Sequence, residues 1–162
     1  MCIRDRKQYY QLLDALKNFL QNTPSTNTVH EGDIYKVDLS KETIFPLANI
    51  DVTNIEFEEH FNRYTVAVVV ADILDNTKEN EKDENNVFHG ADNLQDIYNT
   101  QLSVLNLLQS SLKRGELNND NFQLSEDFTV SATPFEQRFE NLLVGWVMTL
   151  TVDVPNDDIS VC

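Results

Sequence analysis

Three histidines are the side chains of this sequence best suited to proton transfer or metal binding, and each lies near carboxylates. His30 precedes Glu31, His60 follows two glutamates, and His89 lies in an acidic stretch. A zinc site needs ligands at short, defined spacings, and the sequence contains no HExxH, HxxxH or CxxC pattern. We therefore predict no metal site and no cofactor.

Two oxygen-rich clusters have the donor atoms that Ca²⁺ prefers. They are the asparagine and aspartate residues at 118–121, and Asp157-Asp158 after Asn156. Neither belongs to a twelve-residue loop that ends in glutamate, as the common calcium-binding loop does. We predict that both clusters are solvated turns.

Nucleophilic and nucleotide-binding motifs are missing from the sequence. It contains no GxSxG, no P-loop and no GxGxxG, and only four glycines in all. Pairs of carboxylates occur throughout so acidic a chain, so no single pair indicates acid-base catalysis. We predict that the protein is not an enzyme and has no catalytic residues.

The net charge excludes some classes of partner. The chain carries 27 acidic and 12 basic residues, for a formal charge of −15. Nonspecific binding to nucleic acid or to an anionic membrane needs clustered Lys and Arg, which this composition does not provide. The longest apolar run, Thr65–Ala71, is too short to span a bilayer. With no signal peptide visible, cytosolic solubility is expected.

The length of 162 residues indicates one domain. Residues 1–6 resemble the translated adapter-like prefix found on reading frames from environmental assemblies, so we expect them, Cys2 included, to be non-native. The single α+β domain is then predicted to comprise residues 7–162. Cys2 and Cys162 are predicted to be unpaired thiols, unless the two termini meet and allow a bridge.

Two segments have the hydrophobic spacing of amphipathic helices. In Lys7–Gln21 apolar residues recur every three or four positions, and Pro24 should end the helix because it disfavours helical geometry at the preceding residue. Asn93–Arg114 shows the same period, with Gly115 as a suitable C-terminal cap. The predicted apolar stripe of the second helix comprises Leu94, Ile97, Tyr98, Leu102, Leu105, Leu108 and Leu112.

Three segments alternate as strands do. Leu142–Val154 predicts a long strand with one buried face that includes Trp146. Phe61–Leu74 is apolar at both phases, which predicts a central strand covered on both faces. Ala48–Phe57 changes phase at Thr53-Asn54, which indicates a bulge.

Other segments alternate less regularly. Thr28–Leu39 predicts a short strand or a hairpin with a turn at Gly32-Asp33. Phe122–Thr133 predicts one strand, and Pro134 then opens a bulge or a short break. Pro46 should lie at the start of a strand or on an edge, because it has no N–H to donate.

The acidic stretch between the two strand-rich halves has no hydrophobic period. Asp75 to Asp92 is long for a loop in a compact domain, and such loops are usually functional or disordered. We predict that this acidic loop, at 75–92, is mobile in the free protein.

The predicted order is helix, two to four strands, loop, helix and two strands. Short connections between consecutive strands favour antiparallel pairing. The predicted fold class is α+β, with one twisted, mainly antiparallel sheet and two amphipathic helices packed on one face.

Several short segments in this order suggest a family. The chain has Ile44-Phe45-Pro46-Leu47 leading into a strand, then the segment FENLLVGW at 139–146, and then Val154-Pro155-Asn156 after the last strand. With the order of helices and strands from Lys7 onward, these segments resemble the tail completion or tail terminator proteins of tailed bacteriophages. They also look like virion structural proteins of environmental phages.

The resemblance implies a non-enzymatic structural role in the neck or tail of a virion, assembled in the host cytoplasm. Proteins of this family form rings, commonly hexameric, that complete the tail tube or join it to the head connector. The implied partners are further copies of the chain and the tail tube or head connector proteins. DNA would only pass through the lumen without specific binding, and no membrane is involved.

Subunit contacts are predicted from the positions of loops. The acidic loop and the Phe45-Pro46 segment, which leads into the strand predicted at 48–57, are expected at interfaces. Phe135, which precedes the final strand, is expected there as well. The predicted interface residues are Phe45, Pro46, Asp75, Lys78, Lys82, Phe88 and Phe135.

Two other functions remain open at this point. A small cytosolic adaptor or assembly chaperone would bind its partner through an exposed edge of the sheet. An unrecognised hydrolase would need a pocket in which carboxylates and a histidine converge.

Overall fold

The computed structural model describes residues 8–34, 45–74, 94–117, 122–138 and 143–155. Within them the chain forms two helices and an open, mainly antiparallel sheet of six strands. This confirms the predicted α+β class. The elements are α1 (Gln8–Gln21), β1 (Thr28–Glu31), β2 (Leu47–Phe57), β3 (Phe61–Ile73), α2 (Leu94–Lys113), β4 (Gln123–Leu124), β5 (Ser131–Arg138) and β6 (Leu143–Pro155).

The last strand, β6, is the centre of the sheet. One of its edges pairs with β3 along its whole length, from Phe61 opposite Pro155 to Ile73 opposite Leu143. Its other edge pairs with both β4 and β5. The strand order is β1-β2-β3-β6-β4, and β5 pairs with another part of the same edge of β6 as β4 does. Only the β1–β2 pair is parallel among the described strands.

Both helices pack on the same face of this sheet, as predicted. Their leucines share one core cluster with the valines of β3 and β6. Val66, Val68 and Val70 are fully buried there because alternate residues of a strand point to the same face. Trp146 is half-buried beside this core, and its indole N–H donates to the Tyr98 carbonyl at 3.0 Å.

The C-terminus of α2 has the predicted glycine cap. Gly115 has a φ of 66°, which L side chains rarely adopt. The Glu116 N–H donates to the Ser111 carbonyl at 3.0 Å, and the Gly115 N–H donates to Leu112 at 3.2 Å. These two bonds form a Schellman motif and satisfy carbonyls that the helix would otherwise leave unpaired.

The hairpin of β2 and β3 also follows the sequence. The pairing register shifts between Val52 and Asn54, at the predicted bulge. The turn at 58–60 is closed by a hydrogen bond of 3.0 Å from the Glu58 N–H to the Phe61 carbonyl. Pro46 lies directly before β2, the predicted position for a residue that has no N–H to donate. The peptide bond between Phe45 and Pro46 is cis.

The prediction of one strand over Phe122–Thr133 is wrong. The segment is divided into β4 and the start of β5 by a turn in which the Ser125 N–H donates to the Thr151 carbonyl at 2.9 Å. Three strands therefore follow α2, where two were predicted. Pro134 lies inside β5, and the register shift between Glu136 and Arg138 confirms the bulge predicted for the stretch that Pro134 opens.

Two predictions about burial need correction. The strand β3 is central, but Thr65, Ala67 and Val69 are half-buried, so among the described residues only one face of β3 is covered by helices. In α2 the predicted stripe member Leu102 is 42% exposed. The predicted hairpin after Thr28 is described only as β1 and the turn at Gly32, whose φ is 98°.

Several predictions fall on residues outside the described ranges. They concern the prefix at 1–6, residues 35–44, the acidic loop at 75–92 with His89, the cluster at 118–121, residues 139–142 and the segment 156–162. In the part of the chain that is described, no helix is long and apolar enough to cross a membrane.

Candidate functional site

The side of the sheet opposite the helices lies outside the main hydrophobic core, and we call it the uncovered face. Cα partners place its residues in rows across β2, β3, β6 and β5. Neither described helix packs on it, and Val69 and Val147 pack against a second hydrophobic cluster at one end of it. The central rows are Asp51–Ala67–Thr149–Ser131 and Asn49–Val69–Val147–Thr133.

The chemistry of these central rows suits packing against another surface. Asp51 is the one ionisable side chain in them, and the others are small, β-branched or amide side chains. Thr149 and Thr133 are exposed, and Val69 and Val147 are half-buried. A shallow cavity of about 230 Å³ lies between β5 and β6 at this face. Acid-base catalysis requires several titratable groups that converge, and Asp51 is a single such group in the central rows.

A third row ends the uncovered face on one side and is closed by the chain's own packing. It runs Leu47–Ala71–Gly145–Phe135 and joins Phe45 and Leu143 in a second hydrophobic cluster. A Cβ at Gly145 would overlap the Val70 carbonyl and crowd the backbone at Ala71, so the strands approach too closely there for any side chain.

The structure brings two of the predicted interface residues together in this cluster. Phe45 is 8% exposed and Phe135 is 5% exposed, so both contribute to packing within the chain. Pro46 is half-buried, and its carbonyl accepts the backbone N–H groups of Asn27 and Thr28. The other four, Asp75, Lys78, Lys82 and Phe88, lie outside the described residues.

The opposite end of the uncovered face is organised by Arg63. Its Nε donates to Asp153 Oδ1 at 2.9 Å, and its Nη2 donates to Asp153 Oδ2 at 3.4 Å and to Asp127 Oδ2 at 3.0 Å. The guanidinium carbon also lies 5.2 Å from the ring centre of Phe61 and 5.1 Å from that of Phe128. We call these five residues the Arg63 cluster. It ties β3 and β6 to the turn between β4 and β5.

Sequence reasoning missed this cluster. The hydrogen bond with Asp153 is the largest cause that raises the pKa of Arg63, and desolvation acts in the opposite direction. The charge of Asp153 and the hydrogen bond and charge of Asp127 add smaller increases to this pKa. The arginine side chain is 12% exposed, although it carries a full charge. Arg63 and Asp153 are 90 residues apart and become neighbours only through the β3–β6 register. The available signal was a cation on the outward phase of a strand in a chain with few cations.

The described histidines have structural surroundings. Asn49 is 2% exposed and donates through Nδ2 to the Gly32 carbonyl at 3.0 Å. Its Oδ1 therefore accepts from His30 Nδ1, at 2.6 Å, which places the ring proton on Nδ1. His60 lies exposed in the turn between β2 and β3. Within the described ranges, no group of three or more His, Cys, Asp or Glu residues is arranged to hold a metal ion.

Asp72, near the end of β3, has a carboxyl group whose pKa is shifted. Burial raises its pKa, and the Ile73 N–H, which donates to Oδ1 at 2.8 Å, acts in the opposite direction. Its Cα partner is Val144 on β6, whose partner on β5 is Glu136. The carboxylate thus carries a cost of desolvation without a described cation to offset it.

No protein-family model matches the chain, and a search of curated proteins finds no significantly similar sequence.

Proposed function

We propose that this protein is a non-enzymatic virion structural protein of the neck or tail of a tailed phage. Several copies assemble into a ring that completes the tail tube or joins it to the head connector. The observation that carries the proposal is the uncovered face, whose small and β-branched side chains are suited to packing against another subunit.

The position of the predicted contact residues fits this arrangement. Phe45 and Phe135 lie in the cluster that borders the uncovered face, and Thr149 and Thr133 are exposed beside it. A neighbouring subunit that covers the central rows would therefore also reach the edge of this cluster. Burial of half-exposed valines and threonines supplies the free energy for such a contact.

The acidity of the chain is compatible with a channel for DNA. A ring multiplies the charge of −15 by its number of subunits, so its surface is strongly negative. An acidic lumen repels the phosphate backbone, so DNA passes through it without binding. A ring structure whose lumen is lined mainly by Lys and Arg would contradict this part of the proposal.

The test is assembly, measured by size-exclusion chromatography with light scattering and by negative-stain electron microscopy. Wild-type protein, alone or with tail tube protein, is expected to form rings. Thr149→Arg, on the uncovered face, should abolish or strongly weaken assembly because it places a bulky charge on the contact surface. The matched control is Asn18→Arg on the exposed side of α1, which should assemble like the wild type. A protein that stays monomeric even with tail tube protein would refute the proposal.

The adaptor alternative needs a free edge of the sheet to which a partner can bind. Pro134 has no N–H, so its pair with Trp146 is of the non-hydrogen-bonded kind, and its backbone nitrogen points to the free edge of β5. The outward row at Ala132, Pro134 and Glu136 therefore lacks its middle donor. Proline at such a position disfavours addition of a further strand. This observation favours assembly through the face over binding through the β5 edge.

A further inference from the structure

A groove between α2 and the connection from β4 to β5 has no role in the proposed ring. Its first part is a cavity of about 410 Å³ with mainly apolar walls, formed by Leu102, Leu105, Leu124, Phe128 and Met148. A second cavity of about 520 Å³ continues from it past the end of α2 and is more polar. Lys113, Leu124, Ser125 and Phe128 line both cavities. We call the two together the α2 groove.

Apolar surface is left exposed at the first cavity. Leu102 is 42% exposed and Phe128 is 48% exposed, although both contribute to its walls. The volume lies in the range of ligand pockets and is large enough for one or two bulky side chains. Exposed leucine and phenylalanine side chains that line the same groove are typical of protein binding sites.

A buried hydroxyl at the junction of the cavities is the second observation. Ser125 is 5% exposed, and its Oγ has no hydrogen-bond partner among the described residues. The serine backbone is fixed by the 2.9 Å bond from its N–H to Thr151. Buried polar groups are nearly always hydrogen-bonded, so an unpaired hydroxyl on a residue that lines both cavities is a candidate contact for a ligand atom.

The polar end of the groove carries two adjacent cations. Lys113 and Arg114 both line the second cavity. Lys113 forms no ion pair with a carboxylate of the described residues, and Arg114 forms an exposed pair with Glu116 at 3.7 Å. Glu126 lines the same cavity and carries the opposite charge to these two cations. With Arg114 paired to Glu116, Lys113 is the cation at this end of the groove that can face a negatively charged group of a ligand.

We propose that the α2 groove binds a peptide segment of a partner protein that combines bulky aliphatic side chains with adjacent carboxylates. The aliphatic side chains occupy the 410 Å³ cavity, a backbone group of the peptide pairs with the Ser125 hydroxyl, and the carboxylates lie beside Lys113. The groove lies on the helix side of the sheet edge, so this inference does not rest on the proposed ring.

The test uses three labelled synthetic peptides and fluorescence anisotropy. The probe is Gly-Asp-Asp-Leu-Ile-Gly amide. One control replaces the aspartates by asparagines, and the other replaces leucine and isoleucine by serines. The probe should bind most tightly. The asparagine peptide should bind about threefold more weakly, as expected for exposed ion pairs, and the serine peptide should show no saturable binding. Absence of binding by the probe, or equal binding by all three, overturns the proposal.

Variants locate the binding to the groove. Leu102→Asp should abolish binding, whereas Leu107→Asp should not, because Leu107 is 53% exposed on the same helix and does not line either cavity. Lys113→Gln should weaken binding of the acidic probe, and Lys17→Gln on α1 should leave it unchanged. Glu126→Gln should strengthen it by removing a repulsive charge. Equal effects of the two leucine variants would overturn the assignment.

Ser125→Ala separates a ligand contact from a structural role. If the hydroxyl serves the ligand, removing it should weaken peptide binding severalfold while the thermal midpoint of the free protein stays the same or rises, since a buried group without a partner is removed. A lower midpoint with unchanged binding would show that the hydroxyl is structural and would overturn its assigned role.

Discussion

The two faces of the sheet are built from the same strands and differ in what lies against them. Val68 points to the helices and is fully buried, whereas its neighbour Val69 points to the uncovered face and is half-buried. One face is a completed core, and the other is a surface of similar side chains without a cover among the described elements. The difference teaches that apolar alternation reports which side chains can be buried and leaves open what buries them.

The largest effect is expected where the uncovered face is closed by backbone contact. Gly145→Ala should lower the free energy of unfolding by about 3 kcal/mol, because the new Cβ overlaps the Val70 carbonyl and the strands must move apart. Chemical denaturation measures the change. Gly32→Ala is the control, since nothing lies within 4 Å of its Cβ position, and its φ of 98° should cost only about 1 kcal/mol. Similar losses at both glycines would show that β3 and β6 can separate easily.

The two neighbouring valines test the comparison directly. Val68→Ala should cost about 2 kcal/mol, from lost transfer free energy and a cavity beneath the helices. Val69→Ala should cost less than about 1 kcal/mol in the monomer, because its side chain is already half in water. Denaturant titrations of both variants as monomers give the two values. Equal losses would mean that the uncovered face is covered in solution.

The Arg63 cluster should matter more than an exposed ion pair of the same kinds of residue. Arg63→Ala removes both bonds to Asp153, the bond to Asp127 and the contacts with two aromatic rings, so the thermal midpoint should fall by several degrees. Arg63→Lys should recover only part of the loss, since an ammonium group cannot form the paired bonds. Arg114→Ala should leave the midpoint unchanged, because its pair with Glu116 is exposed on both sides. An unchanged midpoint for Arg63→Ala would show that the cluster does not contribute to stability.

The smallest effect is expected at Asp72 and depends on pH. Its pKa is raised in the folded state, so the folded protein binds the proton more tightly than the unfolded chain, and stability falls as the pH rises through the folded pKa. Asp72→Asn should therefore stabilise the protein by about 0.5 kcal/mol at pH 7. The gain should vanish below about pH 3.9, the pKa of an unfolded aspartate. A gain that is constant from pH 3 to pH 8 would exclude this cause.

Much of the fold follows from the sequence because its main elements are long and regular. The stripe of α2, the alternation of β6 and the phase change at Thr53-Asn54 each depend on local spacing, and each is found. The turn at Ser125 was missed because the apolar residues on both sides of it seemed to continue one strand. Ser125 and Asp127 are in fact residues of types that favour turns.

The candidate sites depend on contacts that local patterns do not contain. The Arg63 cluster requires the β3–β6 register, and the α2 groove requires a helix and a turn that are distant in sequence. The exposure of Leu102 could not be read from its spacing, because the helical period gives the direction of a side chain and not the extent of the neighbouring surface. Phe45 and Phe135 were predicted as separate interface residues, and their common cluster follows only from the rows of the sheet.

The place of β6 in the chain has a consequence for biosynthesis. It is the last described strand, yet β3, β4 and β5 all pair with it. While the ribosome is still making the preceding residues, β3 has one edge without its partner, and the leucines of α2 lack much of the surface that they later cover. The domain therefore completes its folding only after β6 emerges, and a nascent chain stalled before Leu143 should be far more sensitive to protease than the released protein.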